Sequence, residues 1–315
     1  MGGCWTVDYR WREVLKILGP SPTPPDELPW ILEIGFGDGR FLAQLAQEHP
    51  EWGLLGVDLS TGSVQRAWKR LRKFSQVRLH HASAEFVLRQ WIPPRRLYRV
   101  YVNFPDPWPK ARHREHRLLR APFWRRLSTR LQEEGALWLT TDHLSYAEEA
   151  ESEALSTGLY EVVRTAPSPE LLTTKYALKW RAQGREIFHV RFLKRAEDQA
   201  IWEPLPISAM PHALLRGTLP SIAAFEKQVI SFPGGHVIVL ELLRSLEGGY
   251  RLLTRIEEEE LVQEVLLEVR PSQHGIHAGL SSFGAPLATP GTRRAVEWLV
   301  SWLETQGLEL AQRSY

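Results

Sequence analysis

Cysteine is almost absent from these 315 residues, with Cys4 standing alone. One thiol excludes an internal disulfide and any all-cysteine zinc site, and it fits a reducing interior. No metal site is expected. Long apolar runs are missing too. No segment approaches the roughly 20 residues that span a bilayer, and the opening Met-Gly-Gly-Cys-Trp-Thr-Val-Asp has no apolar stretch of signal-peptide length. The expectation is a soluble cytoplasmic protein with no membrane partner. Internal repeats and low-complexity tracts are absent, and neither sign of charge dominates: 39 Lys+Arg face 37 Asp+Glu, for a net +2. The distribution tells more than the sum. From Asp198 to Tyr315 there are 14 acidic and 9 basic residues, a net of −5, which leaves +7 for the residues before.

What is present is enough apolar material, 43% of residues, to build about two domains of roughly 100–200 residues each. Residues 1–29 read as a lead-in, because Gly19-Pro20-Ser21-Pro22-Thr23-Pro24-Pro25 can neither continue a helix nor join a central strand. From Trp30 onward, short apolar runs alternate with segments of helical period. Trp30–Ile34, Gly53–Val57, Val77–His81, Leu97–Phe104 and Ala136–Thr140 read as strands, and Arg40–Glu48, Ser63–Lys73, Ala84–Trp91, His116–Leu131 and His143–Ser156 as helices. This rhythm implies an α/β fold, a mainly parallel sheet with helices on both faces. Tyr160–Arg164 and Ile187–Phe192 close it, giving a first domain over 30–196. Residues 197–315 form an extension read as a small α+β unit: Val237–Leu243 and Val265–Val269 suggest antiparallel hairpins, and Arg293–Thr305 an amphipathic helix. Its run Glu257–Glu260 reads as a solvated face or turn. The sequence leaves the oligomeric state open between monomer and homodimer.

Two strings carry chemistry. Glu33-Ile34-Gly35-Phe36-Gly37-Asp38-Gly39 lies where the first strand gives way to a helix, so backbone N–H groups converge and glycine lets a ligand approach closely. A tight turn alone would also use glycine, but Asp58 ends the second strand about 20 residues on, placed to accept from ribose hydroxyls. The dinucleotide pattern would need glycine where Arg40 stands, which argues against a pyrophosphate clamp and a nicotinamide-dependent dehydrogenase. Glu33 would repel a diphosphate yet orient an ammonium or sulfonium group. Together these residues resemble the Rossmann-like class I methyltransferases, which use S-adenosylmethionine.

The second string, Tyr101-Val102-Asn103-Phe104-Pro105-Asp106-Pro107-Trp108-Pro109-Lys110, follows the fourth strand at the carboxyl edge of the sheet. Its three prolines present Asp106 and Lys110 on a stiff loop. From Arg95 to Arg130, eleven Lys+Arg stand against two acids, with Trp108, Phe123 and Trp124 interleaved. That is the footprint of a nucleic-acid surface, although Arg117, Arg120, Arg125 and Arg126 could instead form a solvated helix face.

The Pro-Asp-Pro-Trp-Pro-Lys string with Arg112-His113, Thr140-Thr141-Asp142-His143 and Thr174-Lys175-Tyr176 resembles the bacterial tRNA (guanine-N7-)-methyltransferases over about three fifths of the chain. The resemblance implies transfer of a methyl group to N7 of the variable-loop guanosine. It implies that Glu33, Gly35, Gly37, Gly39, Asp58 and Ser83 bind S-adenosylmethionine. It implies Asp106 as catalytic residue, and Lys110, Arg112, His113, Arg114, Asp142 and Thr174 on the tRNA side. Two positions depart from the pattern: Ser83 replaces an Asp or Asn, and Ala177 replaces a Glu. The competing expectation is a non-catalytic RNA-binding protein that retains the fold.

Overall fold

The alternation of apolar runs and amphipathic segments appears in the computed structural model as two compact units, which among the described residues fall within 23–204 and 205–315. The structure describes residues 23–108, 117–205, 209–246, 248–259, 261–283 and 286–315.

In the first unit, β1 (Trp30–Ile34), β2 (Gly53–Asp58), β3 (Val77–His81), β4 (Leu97–Asn103), β5 (Leu131–Thr141), β6 (Tyr160–Thr165) and β7 (Phe188–Lys194) form one sheet in the order β3-β2-β1-β4-β5-β7-β6. The first five run parallel, and β7 is antiparallel to both β5 and β6. A parallel strand covered on both faces must be apolar throughout, and Ile31, Leu32, Leu54, Leu55, Val100 and Leu137 are all fully buried. The helices α1 (Arg40–Glu48), α2 (Thr61–Leu71), α3 (Ala84–Gln90), α4 (Ala121–Arg130) and α5 (Leu144–Ser156) each follow a strand, while α6 (Lys175–Ala182) lies between β6 and β7. Ser60 and Ser83 accept from backbone N–H groups to cap α2 and α3.

Among the described residues, α4 begins at Ala121, later than the expected span, because Pro122 favours the first turn and Arg117 is drawn inward. The Arg117 guanidinium pairs with Glu149 and donates to the Trp108 carbonyl at 3.1 Å. Trp124 is fully buried, its ring centroid 4.5 Å from that of Phe192, and its Nε1 donates to Leu119 O. Phe123 and Trp124 therefore belong to the core and receive no base.

The second unit holds β8 (His212–Arg216), β9 (Gln228–Phe232), β10 (Gly235–Arg244), β11 (Tyr250–Glu258), β12 (Leu261–Ser272), β13 (Gly275–Leu280) and β14 (Glu309–Arg313), an antiparallel sheet in the order β14-β8-β13-β12-β11-β10-β9. The strand β11 stands between the two expected apolar runs; it alternates buried and half-buried residues along its length. Helix α7 (Pro290–Thr305) contributes Ala295, Val296, Leu299 and Leu303 to a core shared with Val237, Leu252, Ile256 and Leu267. Glu258 departs from the expected solvated run. It is 8% exposed, accepting from Thr289 Oγ1 and from the Gly291 amide at 2.9 Å at the start of α7.

Candidate active site

The carboxyl ends of β1, β2 and β4, with the loops that follow them, enclose a cavity of about 450 Å³ lined by residues that include Gly35, Gly37, Asp58, Ser83, Asn103 and Asp106. A narrower cleft of about 120 Å³ has Glu33, Asn103, Phe104, Thr174 and Tyr176 in its wall. Gly35, Gly37, Asn103, Phe104 and Tyr176 line both.

The glycine loop is shaped for close approach. Gly35 and Gly37 have φ of 76° and 58°, and a Cβ on either would point into open space. Gly39 shares their left-handed backbone, at φ 73°, but not their open surroundings. A Cβ there would stand 2.8 Å from Ala67 Cβ and 2.9 Å from Leu71 Cδ1, so its glycine serves the packing of α1 on α2. Asp58 organises the loop from the end of β2: one carboxylate oxygen accepts from the Gly37 amide at 2.9 Å, the other from the Ser60 amide at 2.7 Å. Each oxygen keeps a lone pair for a further donor. Ser83 caps α3 through its hydroxyl and still faces the same cavity.

Glu33 is 2% exposed, and Asn103 Nδ2 donates to its Oε1 at 3.3 Å. Burial pushes its carboxyl up to about 8, with the negative charges of Asp58 and Asp38 adding to the rise against hydrogen bonding from Asn103 and the Leu42 amide. Its Oε2 and the Asn103 Oδ1 have no hydrogen-bond partner.

Asp106 lies on the loop after β4, exposed to solvent at the cavity wall. That loop holds two non-glycine residues in the left-handed region, Phe104 at φ 52° and Trp108 at 42°, each of which costs on the order of 1 kcal/mol. The Phe104 amide donates to Thr140 O, and Arg117 ties down the Trp108 carbonyl. The strained backbone is thus anchored on both sides of Asp106.

The residues expected on the guanosine and tRNA side separate. Thr174 is 7% exposed and accepts from the Ala177 amide at 3.1 Å, which starts α6 and carries Tyr176 to the cavity. Asp142 lines neither space. Its carboxylate pairs with Arg185 at 2.9 Å, and the Arg185 guanidinium lies 4.0 Å from the Trp180 ring centroid. Lys110, Arg112, His113 and Arg114 lie outside the described residues. Ala177, the second departure, is fully buried near the start of α6.

The expected basic stripe is largely spent inside the unit. Arg95 pairs with Glu197, Arg96 donates to Leu28 O, and Arg99 lies 3.9 Å from the Trp138 ring centroid. Arg126 covers Trp202, and Arg130 donates to Leu88 O and Trp202 O. Two features escape a reading of the sequence: Asn103 as a lining residue of both spaces, and the pairing of Asp142 with Arg185. The signal for Asn103 was a polar residue ending an otherwise apolar strand at the sheet's carboxyl edge. Arg185 had none, since its partner is 43 residues away.

A family model described as "Putative methyltransferase" matches residues 27–190. The chain is 51% identical over 307 residues to a tRNA (guanine-N(7)-)-methyltransferase of Thermus thermophilus, covering 96% of each. It is 40% identical to a protein of the same name from Deinococcus radiodurans, covering 93% of this chain and 94% of the other. A third, from Thermotoga maritima, is 31% identical, covering 75% and 76%.

Proposed function

The chain belongs to the tRNA (guanine-N(7)-)-methyltransferases, and from that premise we propose that it methylates N7 of the variable-loop guanosine of tRNA with S-adenosylmethionine as donor. The observation that carries the reading is the convergence of the open glycines Gly35 and Gly37, the acids Glu33 and Asp58, and Asp106 around one pair of connected spaces.

When bound, S-adenosylmethionine supplies an electrophilic methyl group on sulfonium sulfur. Gly35 and Gly37 leave room for it, Asp58 accepts from ribose hydroxyls, Ser83 offers one hydroxyl near the base, and Glu33 faces the positive end. Guanine N7 has a lone pair and no proton, so the protein needs no general base. Its task is alignment, which in favourable cases is worth roughly 7–11 kcal/mol. Methylation leaves the guanine ring positively charged. Asp106 serves as the catalytic residue by accepting from the ring's N–H edge and stabilising that charge as it develops.

On the tRNA side, Lys110, Arg112, His113 and Arg114 follow Asp106 directly and supply the phosphate contacts that the inward-turned arginines do not. Thr174 acts by placing Tyr176, and Asp142 meets the RNA by exchanging its bond to Arg185. A cytoplasmic location belongs to the same reading.

The test is transfer from labelled S-adenosylmethionine to unmodified tRNA, followed by digestion to nucleosides. The expected product is 7-methylguanosine, lost when the variable-loop guanosine is replaced. Tight tRNA binding without transfer would instead establish the non-catalytic RNA-binding alternative.

A further inference from the structure

Arg99 on β4 and Arg191 on β7 reach Trp138 from the strands on either side of β5, their guanidinium carbons 3.9 and 4.2 Å from its ring centroid. Register puts the three on one face of the sheet. Trp138 pairs with Tyr101 on β4 and with Arg191 on β7, and Arg99 lies two residues from Tyr101. Contact with the ring leaves two positive charges within about 8 Å of each other, where they repel. Elsewhere in the unit Arg95, Arg117, Arg164 and Arg185 each pair with a carboxylate. Among the described residues Arg99 and Arg191 do not. Arg99 donates to the neutral Tyr98 hydroxyl at 3.3 Å, and the buried Nε atoms of both arginines lack an acceptor. Both side chains are half-buried, so an acceptor from outside can reach them.

The complementary group is an anion with several oxygen acceptors. A guanidinium presents a planar fork of N–H donors that fits phosphate oxygens two at a time. Because the indole stands between the two forks, each takes its own phosphate, which suits a polyanionic strand better than one small ion. The positive field is felt within the unit as well. His189, whose ring centroid lies 5.6 Å from that of Trp138, has its imidazole pushed down to about 4 by burial and then by the Arg191 charge. The same face leads toward the site: His189 Nδ1 meets Thr140 Oγ1 at 3.1 Å, two residues before Asp142 at the carboxyl edge of the sheet.

We propose that Arg99 and Arg191, held apart by Trp138, form a phosphate-binding surface for the substrate tRNA, in addition to the run from Lys110 to Arg114. This rests on the tRNA-methyltransferase reading and extends it to a face of the sheet that the motif residues do not reach. Such contacts set affinity and orientation and carry no base identity.

The test measures binding of unmodified tRNA across a salt series, with S-adenosylhomocysteine affinity measured alongside by calorimetry. Arg99→Gln together with Arg191→Gln should weaken tRNA about fivefold or more and reduce the salt slope by about one to two, with S-adenosylhomocysteine changed less than about twofold. Each single glutamine variant should lose about half of that slope change and serves if the double variant does not fold. Arg99→Lys with Arg191→Lys keeps both charges and should retain most of the slope, which separates charge from packing on Trp138. An unchanged slope in the folded glutamine variants, or an equal loss in the lysine variants, would overturn the surface while wild-type transfer to tRNA leaves the methyl-transfer reading intact. A wild-type chain that neither binds nor methylates tRNA would overturn both.

Discussion

Glu33 and Glu258 are the same residue type, each under 10% exposed, in units built on opposite plans. Glu258 sits where an antiparallel sheet meets α7, and both its oxygens have donors: the Thr289 hydroxyl and the Gly291 amide. Around it Thr289 and Thr292 cap each other, and Gln263 ties the preceding loop through Leu287 and Thr289. A Cβ on Gly291 would meet Ile256 Cγ2 at 2.5 Å, so the approach is also closed sterically. Glu33, at the open edge of a parallel sheet, has one oxygen bonded and one bare. The difference separates two uses of a buried acid. A fully satisfied carboxylate holds a fold together, whereas a half-satisfied one beside a cavity keeps binding capacity for a ligand.

The strongest way to sharpen this contrast is Asp106→Asn. Asp106 is exposed and unshielded at the cavity wall, so its loss should leave the melting temperature unchanged. Single-turnover methyl transfer should fall about a hundredfold or more, with donor affinity within about twofold. Unchanged transfer would remove Asp106 from the chemistry. Glu258→Ala should do the reverse. It strands the Gly291 amide and the Thr289 hydroxyl in a buried place and should cost roughly 2–4 kcal/mol in urea unfolding, with S-adenosylhomocysteine affinity unchanged. A loss of ligand affinity without loss of stability would break the comparison.

Glu33→Gln comes next and tests the charge. Below about 8 the free carboxyl holds its proton, and an ammonium ligand must expel it. Wild-type affinity for S-adenosylhomocysteine should therefore rise with pH, by at most about tenfold per unit, and flatten near 8. Asp38 and Asp58 both face Glu33 and sustain the shift, while Arg40 is taken up by Asp38. Stability of the free protein runs the opposite way. The folded state holds the proton that the unfolded chain releases above its usual 4.5, so stability falls from about 4.5 to 8, by at most about 1.4 kcal/mol per pH unit. The glutamine variant should flatten both curves and weaken the ligand about tenfold. A variant with the wild-type slope would assign the titration elsewhere.

The parallel sheet was legible because burial on both faces forces unbroken apolar runs, and β1, α1 and β3 fall on the expected residues. The positions of Gly35 and Gly37 in a strand-to-helix turn and of Asp58 at the end of β2 were legible because such features are local. What escaped depended on contacts distant in sequence. Gly39 looks like its neighbours until Ala67 and Leu71 are packed against it. Glu258 looks like a member of an acidic run until Gly291 arrives from 33 residues away. Asn103 stood in plain view, but its contact with Glu33 joins strands 70 residues apart, which no sequence displays.

The smallest expected effect concerns the arginines whose charge suggested an RNA face. Arg95 and Arg125 are about half exposed or more and lie beside Glu197 and Asp198, at 2.9 and 3.8 Å. Exposed pairs of this kind contribute at most about 1 kcal/mol, and their positive charge is already balanced within the unit. Arg95→Ala together with Arg125→Ala should shift the melting temperature only slightly and leave tRNA affinity and its salt slope nearly unchanged. Arg112→Ala with Arg114→Ala should instead reduce that slope by about one to two, because counterions released from RNA scale with the phosphates neutralised. Equal reductions in both double variants would mean that Arg95 and Arg125 leave their carboxylates when RNA binds.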